Sequence, residues 1–198
     1  MDQQNGIRIV TILGSAQPGA MTAKALELVH DELRKDKAIR LDFIEPSRLD
    51  LRPPGMGSDE AAAKALRQSI VRATGIILAT PEYHGTFSSL MKIVIENLGF
   101  PSVLKGKPVG LLGVAAGAGG AIKALEHLRS VASHVGAIVL PGSVSISHVN
   151  KAFDAAGHSI DPVTERRIRG VATNLLVYLR ENICPRLALE EMLRTNQS

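Results

Sequence analysis

The sequence predicts an α/β protein on a doubly wound, five-stranded parallel sheet, with strand order 2-1-3-4-5 and helices on both faces. Short apolar stretches alternate along the chain with longer stretches whose apolar residues recur at helical spacing. The stretch 75–79 is apolar and partly β-branched without alternating polar residues, as in a strand covered on both faces. In this order the segments after strands one, three and four, which are rich in Gly, Ser, Thr and Pro, converge on one edge.

Strands are predicted over short apolar segments, the fifth interrupted at Pro141-Gly142: 7–13, 40–44, 75–79, 107–114, then 137–140 with 143–146. Helices are predicted where apolar residues recur three and four positions apart: 22–35, 60–73, from Thr86 through Leu98, 121–134 and 161–182. In the second helix the residues expected to face the core are Ala61, Ala65, Leu66, Ile70 and Val71.

Segments 46–59 and 150–160 are predicted to be loops, and Pro185 is expected to end the last helix. The whole chain, residues 1–198, is predicted to form one domain. Its core spans about 7–182, and the amphipathic tail 183–198 is expected to form a short helix or a dimer arm.

Composition narrows the classes of function. Aromatic residues make up 3% of the chain and Trp is absent, which argues against a stacking platform for single-stranded nucleic acid. The formal charge of +4 is modest and scattered, which favours a solvated surface over a nucleic-acid footprint. The same excess would suit an anionic, phosphorylated cofactor.

The residues that hold metals and disulfides are scarce. The single Cys184 excludes an intramolecular disulfide and a Cys-rich metal site, and the six His are dispersed, so no metal is predicted. Residues 1–6 show no secretory signal, and no apolar run approaches the ~20 residues needed to span a bilayer. The expectation is a soluble cytoplasmic protein that binds no membrane.

The first of the three converging loops, Gly14–Thr22, follows a strand and precedes a helix. Its backbone N–H groups and hydroxyls can wrap a phosphate at the positive end of the helix dipole. It is neither a P-loop, because no Gly-Lys-Ser/Thr follows, nor the dinucleotide fingerprint, because its glycines are wrongly spaced. An ordinary turn with a capping Thr is the alternative.

In the second loop, Pro81 is expected to end the strand and Thr86 to cap the following helix, which places the N–H groups of Tyr83–Thr86 at a helix start. A planar ring could then lie against this backbone with Tyr83 as a wall. The alternative is a half-buried Tyr83 beside a solvated His84.

The third loop, 115–120, is rich in glycine, which would let its backbone approach a flat ligand closely. The alternative is a turn of small residues that packs a helix on the sheet.

These segments together carry a family resemblance. Gly14-Ser15 through Thr22, Thr80-Pro81-Glu82-Tyr83-His84-Gly85-Thr86 with Leu90-Met91-Lys92 downstream, and Gly117-x-Gly119-Gly120 resemble the NADPH-dependent FMN reductase family. This is a flavodoxin-like group that includes quinone, chromate and azo-dye reductases, and the resemblance runs from about Ile7 to Leu179. It implies a flavodoxin-like fold, non-covalent FMN, NADPH or NADH as co-substrate, and a homodimer or homotetramer. It also implies ping-pong, two-electron transfer to a quinone, free flavin or similar small-molecule acceptor.

The resemblance also implies a set of cofactor-binding residues. Ser15, Gln17 and Thr22 would lie at the FMN phosphate, in a loop that also contains Ala20 and Met21. The ring and ribityl chain would contact Pro81, Glu82, Tyr83, His84 and Gly85 on one side, and Ala116, Gly117 and Gly119 on the other. No side chain need be catalytic, because the hydride is carried by flavin N5 and assisted by the backbone near Tyr83, His84 and Gly85.

Three positions depart from the family pattern. Gln17 stands where members often have Arg, Ala20 where a Ser often binds phosphate, and His84 where Asn is usual. The first two remove a charge and a hydroxyl from the phosphate site, which would weaken FMN binding and leaves open whether FMN is tightly held or exchanges.

Other function classes stay open at this point. A flavodoxin-type electron carrier would bind FMN without reacting with nicotinamide, but such carriers tend to be acidic and the pI here is about 9.4. A redox-sensing interaction protein would suit a weakened phosphate site. A serine hydrolase is unsupported because no Gly-x-Ser-x-Gly elbow exists. NADPH and NADH are not distinguished, because no basic residue can be assigned to a 2′-phosphate.

Overall fold

The computed structural model describes residues 6–57 and 60–195, and its parallel sheet confirms the predicted strand order. The strands are β1 (Arg8–Leu13), β2 (Arg40–Ile44), β3 (Gly75–Tyr83), β4 (Thr86–Phe87), β5 (Pro108–Val114), β6 (Ile138–Val139) and β7 (Val144–Ile146). The main path runs β2-β1-β3-β5-β6. The predicted fifth strand is split into β6 and β7, and both pieces pair with β5. The unpredicted β4 pairs antiparallel with the end of β3.

Helices cover both faces of this sheet. They are α1 (Met21–Arg34), α2 (Glu60–Arg72), α3 (Ser89–Glu96), α4 (Ile122–His134), α5 (Pro162–Tyr178) and α6 (Cys184–Thr195). Short 3₁₀ turns occupy Pro46–Arg48 and Val149–Lys151, inside segments predicted to be loops. No helix among residues 6–57 and 60–195 is long and apolar enough to cross a membrane.

Two apolar layers explain why the central strands lack alternation. Ile9 and Ile77 belong to the layer that packs against α1 and α5, whereas Val10, Ile76 and Leu78 belong to the layer beneath α2, α3 and α4. All five side chains are 0–1% exposed. Because each face of the sheet is covered by helices, both sets of alternating positions must be apolar.

The predicted inner face of α2 is partly wrong. Ala63, Leu66 and Ile70 are its buried residues, whereas Val71 is 57% exposed. Ala61 and Ala65 are exposed as well. The spacing 63, 66, 70 defines one stripe of a helix; Val71 lies about 100° from that stripe, and Ala65 and Ala61 lie still farther round the helix.

The expected stop at Pro185 is also wrong. After α5 the chain passes through a π-helical turn, Leu179–Ile183, in which the N–H of Cys184 donates to the carbonyl of Leu179, and then continues as α6. The wider π turn accommodates a proline, because it relaxes the register in which the ring would meet the carbonyl four residues earlier. Residues 1–5, 58–59 and 196–198 lie outside the described residues, so one domain over 1–198 stays a prediction.

Candidate functional site

The three loops selected from the sequence leave the same edge of the sheet side by side. Leu13 at the end of β1 is in register with Ala79 of β3, and Pro81 of β3 is in register with Val114 of β5. The N–H of Gly14 donates to the carbonyl of Ala79 over 2.7 Å. A Cβ at Gly14 would lie 2.8 Å from that carbonyl oxygen, so the first loop leaves β1 in close contact with β3.

The first loop presents unpaired backbone donors. Helix α1 begins at Met21, and its N-cap position is Ala20, whose side chain cannot accept a hydrogen bond. Within the described part of the chain, the N–H groups of Ala16, Met21 and Thr22 have no acceptor. Such donors at a helix start are suited to an anion.

Two hydroxyl groups accompany these donors. Ser15 is buried, and its Oγ accepts a hydrogen bond from the N–H of Gln17 at 3.4 Å. Thr22 is buried as well, and its hydroxyl has no hydrogen-bond partner among the described residues. No fully buried side-chain polar atom in that part of the chain lacks a partner, so a small part of the Thr22 hydroxyl must reach the accessible surface.

The other two helices at this edge are closed by side chains. Ser88 caps α3, its Oγ accepting from the N–H of Met91 at 3.1 Å. The carboxylate of Glu82 accepts from the N–H of Ala124 at 3.0 Å, and Ser145 Oγ accepts from the N–H of Ala121 at the start of α4. Of α1, α3 and α4, therefore, α1 is the helix whose first turn receives no hydrogen bond from a side-chain acceptor among the described residues.

The second loop is a β-hairpin, which corrects two predictions. Strand β3 runs past Pro81 to Tyr83, because its last residues pair antiparallel with β4, and Thr86 lies in β4 instead of capping α3. Ser88 is the cap. The backbone N–H groups of Tyr83–Thr86 therefore do not lie at a helix start, and the dipole of α3 cannot be assigned to them.

The hairpin turn explains why His84 is acceptable there. His84 and Gly85 connect β3 to β4 with φ angles of 49° and 77°, which is a type I′ turn. Both central positions require left-handed backbone, which Gly adopts freely and which Asn, Asp and His adopt more often than other residues. Tyr83 beside the turn is 47% exposed, whereas Pro81 is buried.

Helix α4 supports the hairpin through two residues that sequence reasoning missed. His127 Nδ1 lies 3.0 Å from the hydroxyl of Thr86. The side chain of Lys123 passes 3.6 Å from the position that a Cβ on Gly85 would occupy. Both residues lie in the first two turns of the helix that follows the glycine-rich loop. Their place directly after a predicted site loop could have identified them from the sequence.

The third loop contains glycines of two kinds. Gly120 has a φ of 65°, and a Cβ there would lie 2.4 Å from Ser145 Oγ, so this glycine is required by the chain's own packing. Gly117 and Gly119 have neither constraint, and the space where their Cβ atoms would stand is open. They are exposed, as is Ala116. A flat ligand could therefore approach the backbone at Gly117 and Gly119.

Comparison with known proteins identifies the family. The chain matches the family model of the NADPH-dependent FMN reductases over residues 7–151. It belongs to the NADPH-dependent FMN reductase family. It is accordingly an FMN-dependent NAD(P)H oxidoreductase with a flavodoxin-like fold.

Relatives of known activity and structure span nearly the same length. The chain is 24% identical over 180 residues to a 2-hydroxy-1,4-benzoquinone reductase from Burkholderia sp., covering 88% of this chain and 97% of the relative. It is 27% identical over 177 residues to an NAD(P)H-dependent FMN reductase from Pseudomonas aeruginosa, covering 88% and 96%. Its fold resembles that of FerB, an NAD(P)H:acceptor oxidoreductase from Paracoccus denitrificans, with a TM-score of 0.73, 18% identity and coverage of 88% and 98%.

The residues present fit FMN. A phosphate needs several convergent donors, which the uncapped start of α1 supplies with the Thr22 hydroxyl. A tricyclic ring needs backbone that it can approach without meeting a Cβ, and Gly117 and Gly119 offer two such positions with open space beside them. No group of three or more metal-ligating side chains occurs in the described ranges.

Proposed function

We propose that the first loop of this reductase holds the phosphate of FMN, and that the hairpin and the third loop hold its ring and ribityl chain. The observation that carries the proposal is the start of α1. Unlike α3 and α4, it receives no side-chain acceptor, and its N–H groups at Met21 and Thr22 have no acceptor in the described chain. The family's phosphorylated cofactor would supply that acceptor.

The chain's own residues would bind and orient the cofactor, and none of them would need to donate a proton. When bound, FMN supplies the redox chemistry, taking two electrons as hydride from NADPH or NADH and releasing them to a second substrate. Donors at Ala16, Met21 and Thr22 would fix the phosphate, and Gly117 and Gly119 would admit the ring edge. Tyr83 and the hairpin backbone would form the opposite wall.

The second substrate we propose is a quinone, with free flavin or an azo compound as further small-molecule acceptors. Support comes from the relative that reduces 2-hydroxy-1,4-benzoquinone. It also comes from the half-exposed Tyr83 and the exposed third loop, which leave this edge accessible to a planar molecule. Nicotinamide and quinone would occupy this space in turn, which gives ping-pong kinetics.

We also propose that the protein is a homodimer or homotetramer located in the cytoplasm. Exposed apolar side chains on the last two helices support the assembly: Val163, Val177, Leu189, Met192 and Leu193. An apolar set of this kind is typical of a protein–protein contact. The single free cysteine is compatible with a reducing compartment.

Anaerobic stopped-flow absorbance of the FMN-loaded protein tests the activity at this site. Mixing with NADPH or NADH should bleach the flavin band, and a second mixing with benzoquinone should restore it at a rate independent of residual nicotinamide. Free FMN, chromate and an azo dye would then be compared as acceptors. A flavin band that stays oxidised with both nicotinamides would instead indicate an electron carrier and contradict the proposal.

A further inference from the structure

A cleft lies at the amino edge of the sheet, away from the three loops. Its volume is about 660 Å³, and it is bounded by the starts of β1, β2, β3 and β5, the end of α2 and the start of α6. This edge is about 20 Å from the carboxyl edge, because strand β5 runs from one to the other between Pro108 and Val114 and rises ~3.3 Å per residue. A volume of this size is typical of sites for small ligands.

The cleft is lined by cations without carboxylates. Six of its described lining residues are basic, and none is acidic: Arg8, Arg40, Arg72, Lys105, Lys107 and Arg186. They come from different elements, so only the fold brings them together. The whole chain has a formal charge of +4, so this concentration of positive charge exceeds the average of the surface.

Three of these cations are already engaged. Arg8 pairs with Asp42 at 2.8 Å, and Arg186 lies 3.5 Å from Glu190 on the next turn of α6. Lys107 Nζ donates to the carbonyls of Val71 and Ala73 at the end of α2. Burial lowers the pKa of Lys107, because loss of solvent penalises the charged form of its amine.

The other three have no counter-charge among the residues that the structure describes. Arg40, Arg72 and Lys105 make no side-chain hydrogen bond or ion pair within residues 6–57 and 60–195. Arg40 is in register with Arg8 on the neighbouring strand, so two arginine side chains extend from adjacent backbone positions. Unpaired guanidinium groups around a concavity are suited to bidentate recognition of phosphate oxygens.

We infer that this cleft binds a compact, multiply charged phosphate anion, either bare polyphosphate or the diphosphate end of a nucleotide. Arg40, Arg72 and Lys105 are its primary contacts, and the engaged Arg8 and Arg186 add to the field. The site is separate from the one proposed for FMN, because it lies at the opposite edge of the sheet. It would therefore bind its ligand whether or not FMN is present.

Calorimetric titration of the FMN-loaded protein with inorganic pyrophosphate, at fixed chloride concentration, tests this inference. We expect one site per chain. R40Q/R72Q should weaken binding at least tenfold, whereas the control K64Q/R166Q, which removes two exposed cations elsewhere, should stay within twofold. R40K/R72K should retain more affinity than R40Q/R72Q, and thermal melts would check that each variant is folded.

The remaining outcomes are decisive as well. Equal losses in both double variants, or no binding by the loaded wild-type protein, would show only a solvated basic surface and overturn the inference. Binding seen only without FMN would place the anion in the first loop and overturn it too.

Turnover of NADPH with quinone should be unchanged in R40Q/R72Q, and a parallel loss would contradict a separate site. A parallel titration with ADP distinguishes the ligands, because tighter binding than pyrophosphate identifies a nucleotide.

Discussion

The two edges of the sheet offer positive charge in different ways. At the carboxyl edge, the first loop contains no charged residue, and its donors are backbone N–H groups and hydroxyls. At the amino edge, six cationic side chains surround a cleft. Backbone donors are fixed by the local fold and select a position, whereas flexible cations attract many anions and depend strongly on salt. The carboxyl edge is therefore suited to holding a cofactor, and the amino edge to a ligand that exchanges.

The largest effect is expected from changing the shape of the carboxyl edge. Gly14→Ala should lower the free energy of unfolding by about 1–3 kcal/mol, because its Cβ would meet the carbonyl of Ala79 at 2.8 Å. Gly170→Ala in α5 is the matched control, since open space surrounds that position, and it should stabilise by about 0.5–1 kcal/mol. Urea unfolding measures both. Equal effects at the two glycines would mean that the first loop is not held tightly against β3.

The next effect concerns the donors themselves. Thr22→Val keeps the shape of a buried side chain but removes its hydroxyl, and should weaken FMN binding about tenfold, as expected for a hydrogen bond to a charged group. Thr173→Val is the control, because Thr173 lies in α5 and bonds only to the carbonyl of Gly170. Quenching of flavin fluorescence measures the affinity. Wild-type affinity in Thr22→Val would place the phosphate elsewhere.

The sequence predicted correctly which loops meet at the carboxyl edge, because each loop there is continuous in the chain. Strand ends, glycines and helix starts lie within nine residues of one another in the first loop, so local patterns suffice. The amino-edge cleft draws on residues as distant as Arg8 and Arg186, and no local pattern connects them. The same limit applies to the π turn before α6, which local proline rules cannot foresee.

His30 shows a related limit inside the core. The apolar spacing of α1 was predicted correctly, but His30 lies on the same buried face, where it is 3% exposed. Its Nε2 is 2.8 Å from the hydroxyl of Thr11 in β1, and its Nδ1 is 3.1 Å from a carboxylate oxygen of Glu27. Burial lowers the pKa of His30, despite the opposing effect of Glu27. A polar residue on an apolar helix face can be predicted to be buried only when its hydrogen-bond partner on another element is known.

A third effect, of similar size, is expected at the hairpin. His84→Val should destabilise the protein by about 1–2 kcal/mol, because a β-branched residue resists the left-handed conformation that the turn requires. His84→Asn should stay within about 0.5 kcal/mol of wild type, since Asn is favoured in type I′ turns. Thermal unfolding compares the two variants. Similar stabilities for Val and Asn would argue that the turn has another geometry.

The smallest expected effect separates a structural carboxylate from a cofactor contact. Glu82→Gln keeps an oxygen that can accept from the N–H of Ala124 but removes the charge at the start of α4. The lost interaction with the helix dipole should cost about 0.5 kcal/mol of stability at low salt, and less at high salt. FMN affinity should change less than twofold, because this carboxylate is already committed to α4. A tenfold change in FMN affinity would show that fixed charge also controls the carboxyl edge, and the contrast between the two edges would no longer hold.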